Sequence, residues 1–174
     1  MAVYKTLIQT QTIGGVNNFS FTSIPQTFTD LELVISARVT GSTANQGMYI
    51  QLNGDGGTVY SGTILRSFGS GMDTFRFSGS NAFGQIDLPN DLNTASTYSN
   101  ASVYFPNYRS SNFKQVLVEN VKESNTTTTA VMLQLQGNLW RNTSAITSIG
   151  IGTNISAPNF AGNSVFSLYG IKNS

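Results

Sequence analysis

Leu31-Glu32-Leu33-Val34-Ile35-Ser36-Ala37-Arg38 is the stretch on which the fold turns. Leu31, Leu33, Ile35 and Ala37 fall on one face of an extended chain, and Glu32, Ser36 and Arg38 on the other. Successive side chains of a strand point to opposite faces, so this alternation predicts a half-buried β-strand. The same two-residue period recurs in Met48-Tyr49-Ile50-Gln51-Leu52, Phe75-Arg76-Phe77, Val131-Met132-Leu133-Gln134-Leu135-Gln136, Ile149-Gly150-Ile151 and Phe166-Ser167-Leu168-Tyr169. Less regular strands are expected over residues 4–12, 19–22, 59–65, 101–105 and 114–121. No window sustains the three-to-four residue spacing of an amphipathic helix.

Breakers separate these runs. Gly14-Gly15, Asn53-Gly54-Asp55-Gly56-Gly57 and Gly69-Ser70-Gly71 accept the positive φ that tight turns require. Pro25, Pro89, Pro106 and Pro158 fall at or beside strand ends, where a missing N–H breaks no ladder. The polar tract Asn125-Thr126-Thr127-Thr128-Thr129 reads as a loop entering the next strand. About ten short strands joined by turns predict an all-β fold: a single antiparallel β-sandwich domain over residues 1–174, of jelly-roll type.

Composition narrows the function. The chain has no His and no Cys, and 10% of its residues are charged. Hydrophobic residues make up 39%, with eleven Phe and seven Tyr, enough to build a core without disulfides or a metal. A net charge of +1, with Arg38, Arg66, Arg76, Arg109 and Arg141 scattered, argues against a nucleic-acid footprint. No run of apolar residues is long enough for a spanning helix, and Met1-Ala2-Val3-Tyr4-Lys5 lacks the plan of a signal peptide, so neither membrane insertion nor secretion is expected. Five Asn-x-Ser/Thr sequons, at Asn18, Asn100, Asn125, Asn142 and Asn154, are what chance supplies in so Asn-rich a chain.

Catalytic equipment is sparse. Paired carboxylates support glycoside hydrolysis without His or Cys, and Asp30 with Glu32 or Asp87 with Asp91 are the candidates. Both pairs read more simply as solvated charges, so no enzyme is expected, and no cofactor. Asn53-Gly54-Asp55-Gly56-Gly57 offers oxygens to a hard cation but only one carboxylate, and a hairpin turn is the better reading. Trp140 and Tyr108, each beside an Arg (Arg141, Arg109), are the candidate contacts for a glycan or partner; the better reading makes Trp140 a core residue whose N–H bonds a backbone carbonyl. Strand surfaces of Thr, Ser, Gln and Asn with so little charge suit permanent contacts between subunits, because ordinary soluble domains carry about 25% charged residues. Edge strands and the N-terminal segment, residues 2–8, are the expected docking elements.

Three segments carry a resemblance. Tyr4-Lys5-Thr6-Leu7-Ile8 with Phe21-Thr22-Ser23-Ile24-Pro25-Gln26-Thr27-Phe28-Thr29-Asp30-Leu31 opens it, and Gln51-Leu52-Asn53-Gly54-Asp55 with Tyr60-Ser61 continues it. Leu139-Trp140-Arg141-Asn142-Thr143-Ser144-Ala145-Ile146-Thr147-Ser148-Ile149, Asn159-Phe160 and Phe166-Ser167-Leu168-Tyr169-Gly170-Ile171-Lys172-Asn173-Ser174 close it. In this order they resemble small β-rich virion structural proteins of tailed bacteriophages. The resemblance implies a virion protein assembled in the host cytoplasm, with the major capsid protein or other virion proteins as partners. Within that class it implies a capsid decoration or cement protein that bridges capsid subunits as a homo-oligomer, a trimer being favoured. That choice rests on a domain standing alone, without a coiled coil or extended anchor. The alternative is a tail fibre or adhesin domain that binds host surface glycans. No catalytic residue is implied.

Overall fold

The computed structural model describes residues 3–42, 46–69, 71–125, 131–154 and 159–173; Ala2, Ser70, residues 126–129, Pro158 and Ser174 of the readings above lie outside them. Alternation dictates extended chain, and twelve strands form, with no helix among the described residues. They make two antiparallel sheets packed as a sandwich. From edge to edge, the larger sheet runs β1 (Val3–Ile13), β12 (Ser164–Asn173), β3 (Asp30–Ala37), β8 (Ser99–Phe105), β9 (Lys114–Lys122), β10 (Met132–Trp140), β5 (Tyr60–Phe68) and β6 (Gly71–Ser80). The smaller runs β2 (Asn18–Phe21), β11 (Ile149–Thr153), β4 (Gly47–Leu52) and β7 (Phe83–Asp87). Only β7 has no counterpart in the sequence reading. It lacks alternation because Gly84 sits at φ 79° and the pairing with β4 slips by a bulge between Met48 and Ile50.

The β3 stretch behaves as its pattern dictates. Leu31, Leu33, Ile35 and Ala37 are buried, facing Met48, Ile50 and Leu52 of the smaller sheet within one continuous core. Each buried Leu, Ile or Met among them contributes about 1.5–3 kcal/mol by leaving water. At one end Phe19, Phe160 and Phe166 pack edge to face, with Phe19 and Phe166 centroids 4.8 Å apart. At the other, Trp140 stacks on Tyr60 at 6.4 Å.

Arg38 departs from its expected solvent face. It lies just past the end of β3, where the phase of the strand no longer binds it, and is buried. Its guanidinium donates to the carbonyls of Thr94 and Thr97, both at 3.1 Å, and to those of Asn90 and Asn93. An always-charged planar fork thus gathers the 90–97 loop onto the end of the sandwich.

The Asn53-Gly54 turn forms, but it does not make a hairpin. Asn53 and Gly54 both take positive φ and Asp55 N–H bonds Leu52 O at 2.9 Å, the geometry of a tight reversal. Its flanking strands, β4 and β5, belong to different sheets, so the turn is a crossover. The Asn53 side chain accounts for the difference: Oδ1 accepts from the N–H groups of Thr147 and Ser148, and Nδ2 donates to Ala145 O at 2.8 Å. The turn is spliced to the loop before β11 rather than to a hairpin partner.

β10 inverts the expected phase, and β9 beside it also turns apolar residues outward. Along β10 the buried residues are Gln134, Gln136, Asn138 and Trp140, while Leu133 and Leu135 face outward at 59% and 45% exposure. Along β9, Lys114, Val116, Val118, Asn120 and Lys122 point in, and Leu117 and Val121 point out. The surface over this half of the larger sheet therefore carries exposed apolar residues, set among Gln115, Glu119, Thr63, Thr74 and Arg76, where a polar surface was expected.

β7 closes the small sheet through a tight approach. A Cβ on Gly47 would lie 2.4 Å from the Ile86 carbonyl oxygen, which belongs to backbone and cannot swing away. Gly47→Ala is expected to destabilise the fold by about 1–3 kcal/mol by prying β7 off β4, a loss read in a urea unfolding curve as a lower midpoint with unchanged slope.

Candidate functional site

Burial disposes of two of the three predicted contact residues. Trp140 is 1% exposed and Tyr108 is fully buried, so neither ring offers a face to a sugar. The even parity that sends Gln134, Gln136 and Asn138 inward carries Trp140 with them, and its Nε1 donates to Asp55 Oδ2 at 2.9 Å rather than to a backbone carbonyl. The Tyr108 hydroxyl donates to Pro25 O, tying the loop after β8 to the loop after β2. Arg109 is exposed and donates to Gln26 O at 2.8 Å, on the rim of a shallow depression shared with Thr29, Asn107 and Ser110. Without the two rings, Arg109 is left as an isolated surface cation.

The candidate carboxylates hold the fold together. Asp30 accepts from the Tyr104 hydroxyl and from Asn107 N–H, both at 2.7 Å. Glu32 pairs with Lys5 at 2.7 Å and accepts from Ser102. Asp91 accepts from Gly41 N–H at 2.6 Å. Asp87 is buried and accepts from Gln134 Nε2 at 2.8 Å. Burial raises the Asp87 carboxyl above its ordinary pKa, against the pull of Lys122 and Arg66. Burial likewise lowers Lys122, which Asp87 partly restores.

These inward groups form a row. Asn120 of β9, Gln134 of β10 and Arg66 of β5 are register neighbours, and Arg66 continues to Asp73 of β6 through two bonds of 2.7 and 2.9 Å. Asn120 Nδ2 donates to Gln134 Oε1 at 2.9 Å and to Asp87 O at 3.1 Å, and Ser99 joins through Asn120 Oδ1. Gln136 Nε2 reaches Gln85 O at 3.0 Å. The row thus receives β7 on the inner face of the larger sheet. Beside it, Gln136 Oε1 and both amide atoms of Asn138 have no hydrogen-bond partner among the described residues.

Three surfaces follow from this construction. The outer face of β9, β10, β5 and β6 carries Leu117, Val121, Leu133, Leu135, Leu65 and Met72, all exposed. Pairing places Leu133 beside Val121 and Leu135 beside Leu65, so the patch is continuous. Glu119 lies within it on β9, between Leu117 and Val121 and opposite Leu135, and Arg76 stands at its other side on β6. The second surface is the edge of the larger sheet at β1, eleven residues long and paired on one side only, to β12, with Tyr4 63% and Leu7 53% exposed. The third is a groove of about 450 Å³ between the edges of the two sheets, where Phe77 of β6 and Phe83 and Gln85 of β7 meet Tyr49 and Gln51 of β4.

Comparison with protein-family models and with curated proteins returns no match. What these surfaces do is therefore argued from their own chemistry. The sequence reading did not identify the outer patch, although its signal was present: with Trp140 assigned to the core, the two-residue period forces Leu133, Leu135 and Leu139 outward. It had no local signal for the groove, whose walls come from β4, β6 and β7.

Asp55 supplies a test of the Trp140 anchor. Hydrogen bonds from Trp140, then Asn142, then Gly57 N–H hold its carboxyl below the ordinary value of 3.8. A depressed folded-state pKa means the stabilisation is whole above about pH 4 and disappears as pH falls through the folded value. Asp55→Asn is expected to lower stability at pH 7 by about 1–2 kcal/mol, with the gap from wild type closing in acid. Thermal unfolding followed by near-ultraviolet circular dichroism at pH 7 and pH 3 measures both.

Proposed function

We propose that this chain is a structural subunit of a bacteriophage virion, a capsid decoration or cement protein that works as a homo-oligomer. The observation that carries the reading is the inverted phase of β10, which turns Leu133 and Leu135 outward while Gln134, Gln136 and Asn138 take the interior. A contiguous apolar face of this kind marks a surface built to be covered. The kind of assembly comes from the sequence resemblance to phage virion proteins.

The occupant of the patch is a neighbouring copy of the chain. Glu119 stands among the apolar residues of β9, opposite Leu135, and Arg76 on β6, three strands away, which is about 14 Å at the usual strand spacing. Opposite charges on the first and last strands of the patch allow one copy's Glu119 to meet the next copy's Arg76 while Leu135 and Leu65 between them are buried. The β1 edge is left for the shell. It offers a row of unpaired backbone groups to a capsid strand, and its Lys5 is already neutralised by Glu32, so no free lysine guards that position. The alternation of β2, β4, β7 and β11 in one sheet with β3, β5, β6 and β8 in the other supports the jelly-roll form of the sandwich within this proposal. A subunit that binds only the assembled shell stabilises it additively over many copies.

Two measurements test the proposal. Cryo-electron microscopy of virions carrying the labelled protein is expected to show many copies arrayed over the head; a few copies at the tail, or none, would exclude decoration. Sedimentation equilibrium of the purified chain is expected to give an oligomer, with Leu135→Asp monomeric and still folded. A wild-type chain that stays monomeric at high micromolar concentration removes the role given to the patch.

A further inference from the structure

We infer that the groove between β6 and β7 is a binding site for a neutral carbohydrate. It goes beyond the virion reading and uses none of the surfaces invoked there.

The argument begins with the lining. Tyr49 and Phe77 are half-buried aromatic rings, and the side chains of Gln51, Asn81, Gln85 and Asn154 surround them. No Asp, Glu, Lys or Arg lines the groove among the described residues. Primary amides each carry donors and an acceptor, which matches hydroxyls that do both, while aromatic faces match the C–H faces of a pyranose ring. A volume of about 450 Å³ lies within the range of small-molecule sites.

The polar groups are held in place and have capacity left. Asn154 Oδ1 accepts from Gly47 N–H at 2.9 Å, which leaves Nδ2 as a donor. Gln51 Nε2 donates to Asn81 O at 3.1 Å, which leaves Oε1 as an acceptor. The Tyr49 hydroxyl and the side-chain amides of Asn81 and Gln85 make no hydrogen bond among the described residues. Tyr49 is positioned by its register partner Gly152, where a Cβ would lie 2.5 Å from the ring and hydroxyl, so the absence of a side chain on β11 gives the ring its seat. Preorganised groups of this kind lose little freedom on binding.

The same edge is a poor acceptor for a peptide strand. β7 is five residues long, bulged against β4 and bent at Gly84, so its free side cannot run a regular ladder. The absence of charge in the lining disfavours sialylated or phosphorylated ligands, whose anions require a cation or several aimed N–H groups.

Purified wild-type chain labelled with ¹⁵N, titrated with maltotriose, chitotriose and N-acetyllactosamine, tests the inference. At least one is expected to bind in the millimolar range, shifting the side-chain amide signals of Gln51, Asn81 and Gln85. Gln85→Ala, at an exposed position, is expected to weaken that binding about tenfold with the rest of the spectrum unchanged; Asn81→Ala serves as an independent second variant. No shift with any of the three sugars at about 10 mM, shifts that map outside the groove, or tighter binding of sialyllactose than of its neutral counterpart would overturn the inference. Copy number on the virion does not enter this test, so failure here leaves the assembly reading standing, and the converse holds.

Discussion

The hydrogen-bonded row Asn120–Gln134–Asp87 decides how the two sheets meet. A buried amide left unpaired costs about 1–3 kcal/mol, so three buried polar groups are tolerable only where they satisfy one another. Here Gln134 donates to Asp87 and accepts from Asn120, and Asn120 also reaches the Asp87 carbonyl. That arrangement specifies a position for β7 that apolar packing alone would leave loose. Its consequence is parity: once Gln134 must point in, Leu133 and Leu135 must point out. The apolar outer face is the other side of an interior polar contact.

The interior is one core with a polar row along part of it. Around β3, β12 and β8 it is a conventional hydrocarbon core, with Leu31, Leu33, Ile35, Val103, Phe166 and Leu168 fully or almost fully buried. Around β9, β10 and β5 the same core continues through Val116, Val118, Tyr60 and Trp140, but an amide and charge network capped by β7 runs beside it, and Arg38 gathers the carbonyls of the 90–97 loop. Burying ions is costly unless they are paired and hydrogen-bonded, and the opposed shifts of Asp87 upward and Lys122 downward express that cost. The network purchases position rather than raw stability.

Much of the fold was legible because period-two alternation is a local signal. The β3 pattern and the Met48, Ile50, Leu52 pattern of β4 gave both the strands and their inward faces. β7 was not legible, since its direction is set by Gly84 and a bulge rather than by side-chain period. Arg38 was misplaced because the strand ends one residue before it, and alternation has no force beyond the last paired residue. The Asn53-Gly54 turn was readable as a turn, but whether it joins one sheet or two depends on Asn53 finding residues 145–148 far along the chain. Burial of Trp140 and Tyr108 sets aside their candidacy as surface contacts and agrees with the preferred core reading of Trp140, since ring size selects for burial as strongly as for binding. The groove was beyond reach, because Tyr49, Phe77 and Gln85 become neighbours only after the sheets close.

Strand order also constrains when the molecule can exist. β3 lies between β8 and β12, so one flank of Asp30–Ala37 has no neighbour until residues 164–171 have been made. β1 waits longer still, its ladder consisting wholly of β12. At ordinary rates of synthesis, about 5–20 residues per second, the earliest strands remain unpaired for roughly ten seconds while the rest of the chain emerges. Folding must then follow synthesis, through contacts distant in sequence and slow to form. During that interval the apolar faces of the early strands have no partner sheet to cover them, so strand order sets how long they stay exposed.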